Sequence, residues 1–129
     1  MRKAKSAKEL LKNIHLVRRE PVMWDSDLAA LYGVTTAELM RRITACMELP
    51  EELMFQVRED DVPNSRVPEK SLSFVFSSGG VSMLCAVFRE DEFVELNIEL
   101  ARAFVKYREL LGVWDEKQLR NKSAISSFP

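Results

Sequence analysis

DSDLAALYGVTTAELMRRI, residues 25–43, is the stretch whose reading decides the fold. Leu28, Leu31 and Tyr32 recur at the spacing i, i+3, i+4 that gives a helix one apolar face. Gly33 follows where that helix needs a residue tolerant of positive φ, and Val34 carries the chain into a turn. Thr35 is placed to cap a second helix with its hydroxyl. Glu38, three residues on, is placed to reach back to the cap's own N–H in a capping box. Leu39, Met40 and Ile43 then form the inward face of the second helix, leaving Thr36, Ala37, Arg41, Arg42 and Thr44 outside. Two short helices on a glycine turn have the layout of a helix-turn-helix, in which the outer face of the second helix enters a DNA major groove. An ordinary helical hairpin inside a core carries the same spacing.

Outward from this unit, residues 6–13 read as a short helix whose large apolar residues are Leu10 and Leu11. Residues 14–18 alternate and residues 21–24 are apolar, so the two runs are expected to pair as a hairpin across an Arg19-Glu20 turn. Beyond Pro50, which ends the second helix region, MFQV at residues 54–57 makes a short strand, and residues 60–66 a loop or single helical turn. In SLSFVF, residues 71–76, Leu72, Phe74 and Phe76 alternate with Ser73 and Val75, the best strand of the chain. Ser77 or Ser78 can cap the next helix, on which Val81, Leu84, Cys85 and Phe88 share a face. Asp91 is expected to cap a last helix that runs to Leu111 and stops at Gly112. Along it Phe93, Leu96, Leu100, Ala103, Tyr107 and Leu110 form a heptad seam too short for a coiled coil alone. A core helix is expected there, with homodimer contact through residues 91–111 as the alternative.

The expected class is α+β: a short β-hairpin and small sheet, a helix-turn-helix-like pair and two C-terminal helices. Its core would use Val22, Leu28, Leu31, Tyr32, Leu39, Ile43, Phe55, Phe74, Phe76, Leu84, Phe88, Leu96, Leu100 and Phe104. The 129 residues, 47% apolar and 30% charged, fit one domain. The basic amino terminus lacks the apolar run of a signal peptide, and no stretch approaches the roughly 20 apolar residues of a membrane helix, so a cytoplasmic location is expected. Cys46 and Cys85 sit in apolar helical patterns without metal-ligand spacing and are expected to be reduced, buried thiols.

Net charge is −1, unevenly placed: residues 1–20 hold seven Lys or Arg against two Glu, or +5, leaving −6 for the rest. The expected organisation is a basic arm (1–13), a domain (14–111) and a flexible tail (112–129). The arm suits either phosphate contact or simple solubilisation.

Catalytic chemistry finds few candidates. His15 is the single histidine and stands in the first strand without an evident partner. Asp25 and Asp27 suit a helix start better than a cation, and Glu51-Glu52 and Asp60-Asp61 read as solvated acidic loops. Gly79-Gly80 lacks the Gly-Lys-Ser/Thr ending of a phosphate loop and reads as close helix packing or a tight entry into the helix. No enzymatic activity, cofactor or metal is expected.

Four blocks carry a resemblance: VMWDSDLAALYGV (22–34), LPEELMFQV (49–57), FSSGGVSML (76–84) and NIELARAFVKYREL (97–110). In this order they resemble the ORF-six amino-terminal domain of phage and prophage proteins, related to the KilA-N and Bro-N domains. The resemblance implies a DNA-binding, non-enzymatic module of antirepressor-type transcriptional regulators. Under it, Thr36, Arg41 and Arg42 would read or approach bases, Lys3, Lys5, Arg18 and Arg19 would hold phosphate or the minor groove, and Arg66 and Lys70 would add a loop contact. Duplex DNA is the implied partner. The acidic runs favour, as an alternative, a basic protein such as a phage repressor, with no DNA affinity in this chain. The chain departs from the family at Met40, where an Asn is common, at Thr44, Ala45 and Cys46, where basic or amide residues are common, and in a shorter loop at residues 63–71. Each departure removes an expected contact and lowers the expected affinity.

Overall fold

Ser6 opens the first helix with a capping box: its hydroxyl accepts from the Glu9 N–H and the Glu9 carboxylate accepts from the Ser6 N–H. In this computed structural model, which describes residues 4–58, 61 and 73–121 and side chains as far as Gly112, helix α1 (Ala7–Leu10) follows and runs into a 3-10 turn, Leu11–Asn13. Leu10 is fully buried, and the Ala7 N–H donates to Glu99 Oε1 at 2.8 Å. The stretch expected to be an arm is therefore packed against the domain from Ala4 onward, because Ala4, Ala7 and Leu11 add apolar contact around Leu10.

Strands β1 (His15–Val17) and β2 (Glu20–Trp24) form the hairpin with Val17 opposite Glu20, so its two-residue turn is Arg18-Arg19, one residue earlier than expected. Both arginines are left-handed, at φ 56° and 64°, the paired positive φ whose twist suits a two-residue hairpin. Helix α2 (Asp25–Tyr32) follows directly. Asp25 is its first residue rather than its cap. One carboxylate oxygen accepts from the Ser26 N–H at 2.7 Å and the other from the Phe74 N–H at 3.3 Å, which ties α2 to the sheet.

Strand β3 (Met54–Gln56) and β4 (Phe74–Ser77) complete an antiparallel sheet in the order β1-β2-β4-β3. Ser77 caps α4 (Ser78–Val87) by accepting from the Gly80 N–H. Gly80 is required where it stands, since a Cβ there would lie 2.0 Å from the Leu53 carbonyl oxygen. A 3-10 turn, Asp91–Phe93, precedes α5 (Val94–Asn121), so Asp91 lies in that turn and not at the helix cap. Helix α5 continues through Gly112, where it was expected to stop. A helical glycine weakens a helix by about 1 kcal/mol without breaking it, and proline is absent from residues 113–121.

The sheet is buried on both faces. Met23 and Phe76 join Leu28, Leu39, Leu84, Leu100 and Phe104 in the core beneath the helices, while Val17, Val22, Phe55, Val57 and Val75 form a smaller cluster with Trp24. This is why Val75 and Phe76 are both inaccessible although neighbours in a strand point oppositely. Leu31 and Phe74 are only half-buried, and both cysteines are exposed, Cys85 lying outside the face that Val81, Leu84 and Phe88 bury. Among the described residues, no helix is long and apolar enough to cross a membrane.

Candidate nucleic-acid interface

The helix pair forms as its residues dictate. Gly33, at φ 76°, ends α2: its N–H donates to the Ala30 carbonyl and the Val34 N–H to the Ala29 carbonyl, which together satisfy the last turn. Thr35 accepts from the Glu38 N–H at 3.0 Å and starts α3 (Thr36–Cys46). The Glu38 carboxylate turns to Arg41 instead of back to Thr35, so only half of the expected capping box forms. Leu39 and Ile43 are buried, and Met40 packs at the margin of the core.

An aromatic group fixes the unit to the rest of the domain. Tyr32 stacks on Phe88 with centroids 4.1 Å apart, and Phe93 meets both rings edge-on at 5.3 Å. The Tyr32 hydroxyl donates to the Asn97 side-chain oxygen, and the Asn97 amide donates to the Phe88 carbonyl at 3.1 Å. Burial, with a smaller contribution from Cys85, pushes the Tyr32 hydroxyl well above its ordinary range, so it stays a donor.

This frame separates two neighbouring arginines. Arg42 Nη2 donates to the Val87 carbonyl and to Glu90, each at 3.0 Å, and its guanidinium lies 4.2 Å from the Phe88 centroid, on the face opposite Tyr32. Its own backbone N–H, and then Arg42, holds the Glu90 carboxyl below its ordinary value. Arg42 is thereby engaged in locking α3 to the end of α4 and does not project freely from the face on which it was expected. Arg41, one residue earlier, is 72% exposed and, among the described residues, is held only by Glu38 on its own helix.

Around Arg41 the outer face of α3 carries Ala37, Thr44 and Ala45, all exposed, with Thr36 half-buried at its start. The Thr44 hydroxyl lies 3.1 Å from both the Met40 and Arg41 carbonyls, so its proton goes to the helix backbone. What remains is a face of small side chains with one projecting guanidinium.

The other expected contacts are dispersed. Arg18 donates to Asp61 at 3.0 and 3.1 Å, approaches the Gln56 carbonyl at 3.4 Å and lies 4.2 Å from the Phe55 centroid. It closes the smaller cluster and is held there by the Asp61 carboxylate, where a freely projecting cation was expected. Asp61 is likewise not a solvated loop acid, its side chain being 11% exposed. Arg19 is exposed at the hairpin tip. Lys5 is exposed beside a cleft of about 340 Å³ that it lines with Asn13, Asp27, Leu31 and Glu92. Lys3, Arg66 and Lys70 lie outside the described residues. The spacing of the sequence contained no sign of the Glu90 and Asp61 partners, which lie 48 and 43 residues from the arginines they hold.

The family model described as the ORF6N domain matches residues 12–87, from the 3-10 turn before the hairpin to the end of α4. No curated protein and no solved structure matches the chain.

Proposed function

The chain belongs to the ORF6N-domain family, a phage-associated family, and from that premise we propose that it is a regulatory protein binding duplex DNA through α3, with Arg41 as the base-reading residue. The observation that carries this reading is the division of labour between adjacent arginines. Arg42 fixes α3 to the body, while Arg41 projects among Ala37, Thr44 and Ala45. Small residues allow a helix to approach base edges closely, and an arginine can then make a bidentate contact to guanine. Arg19 and Lys5 stand as auxiliary phosphate contacts, Thr36 as a contact from the start of α3, and Lys3, Arg66 and Lys70, outside the described residues, as further contacts. The protein needs no catalytic group or cofactor for this role, and it acts in the cytoplasm.

A second reading is favoured by one specific observation: Arg18, Arg41 and Arg42 each meet a carboxylate, Asp61, Glu38 and Glu90. Neutralised cations release few counterions, which suits an antirepressor-like module that binds a repressor rather than DNA. Binding of the full chain to random duplex fragments over a salt series, followed by selection for a consensus, separates the two. Saturable binding that yields a consensus is expected, and Arg41→Ala should cost about 1–3 kcal/mol of it without loss of stability. No binding at low salt overturns the DNA reading in favour of the protein partner.

A further inference from the structure

Helix α5 has two apolar stripes, and the fold uses one. Phe93, just before the helix, together with Leu96, Leu100 and Ala103, faces the core. These residues head the heptad seam expected to offer dimer contact, so the inward packing of α1 and α4 removes most of that seam from any partner. A second stripe, Val94, Ile98, Ala101 and Val105, recurs at steps of four, three and four, the same heptad spacing, on the outside. Its three large residues are 49%, 48% and 58% exposed. Clefts shared with α1 and with α4 run along its two sides, so nothing among the described residues covers it.

We propose that this outer stripe pairs with the same stripe of a second copy, antiparallel about a two-fold axis between Glu99 and Leu100. In that register Val94 meets Val105 and Ile98 meets Ala101 of the second copy, and each contact recurs across the axis. Ala101 at the middle lets the helices approach closely over the Ile98 side chains. The occupant is argued from charge. Glu95 and Arg102 flank the stripe on one side, seven residues apart, and both are exposed. In the antiparallel register both lie between the same two apolar layers, so Glu95 of each copy stands beside Arg102 of the other. The flank is complementary to itself only when the helices run in opposite directions. Arg102 already leans on Glu99 at 3.2 Å within its own helix, which leaves its remaining donors for the partner. The pairing rests on α5 alone and holds whether or not α3 reads DNA.

Analytical ultracentrifugation of the full chain tests the pairing, with helix content followed by circular dichroism. At about 100 µM we expect a dimer that dissociates on dilution, as befits four apolar layers per helix. Ile98→Asp, at an exposed site, should leave the helix content unchanged and give a monomer. Glu95→Arg should weaken dimerisation about tenfold by placing like charges together, and Glu95→Arg with Arg102→Glu should restore it. A wild-type monomer at that concentration, a dimer indifferent to Ile98→Asp, or a double variant as weak as the single one overturns the proposal.

Discussion

Arg18 and Arg42 are built into the same device at two places, and the difference between the places sets what each contributes. Each guanidinium lies 4.2 Å from a phenylalanine centroid, Phe55 or Phe88, and each bonds a carboxylate and a backbone carbonyl from a distant segment. Arg18 closes the small cluster on the sheet, where its partner Asp61 is 11% exposed; Arg42 closes the main core, where Glu90 is half open to water at 51%. The chemistry is shared, so the shelter of the acid decides the energy, because water screens an exposed pair. An arginine that reads as a surface cation in the sequence is in both cases a lid over an aromatic ring.

The largest effect that sharpens this comparison is expected at Arg18. Arg18→Ala should cost about 2–3 kcal/mol in urea unfolding, since it strips the ring and leaves a sheltered carboxylate short of partners. Its pH signature follows from the same shelter. Arg18, then the Arg58 N–H, holds the Asp61 carboxyl below its ordinary value of 3.8. The folded value is thus the lower one, so this contribution is complete above the unfolded value and is lost as pH falls below 3.8 through the folded one. Asp61→Asn should flatten the acid limb of the stability curve.

Arg42→Ala should cost less, about 1–2 kcal/mol, mainly through the Val87 carbonyl and the Phe88 ring. Arg42→Lys should recover little of it, since a lysine keeps the charge but lacks the planar fork that spans carbonyl, carboxylate and ring. A cost for Arg42→Ala that exceeds Arg18→Ala would break the argument from shelter. The smallest effect isolates backbone from side chain at the hairpin. Arg19 shares the left-handed conformation of Arg18, so Arg19→Gly should raise the thermal midpoint slightly, by at most about 1 kcal/mol of stability.

Local features were legible wherever the controlling group is close in sequence. Gly33 ends α2, Thr35 and Ser77 accept from the N–H three residues on, and Gly80 is forced by close packing, all as the residue types indicate. The hairpin was legible too, but not its turn, because Arg18-Arg19 adopts positive φ with residues that do not advertise it. The candidate site was half legible. Its helix was identified, but Arg41 and Arg42 look alike until Glu90 and Phe88 are brought to one of them.

What the sequence by itself determined is the set of elements, their order and the face of α3 that turns inward, since capping, turn chemistry and apolar spacing act within a few residues. Only the tertiary structure decided which arginines are spent as lids and that a second heptad-spaced stripe of α5, from Val94 to Val105, is left outside. The reason is physical: a guanidinium is consumed by groups more than forty residues away, and a helix apolar on two sides can bury only the side against which α1 and α4 pack.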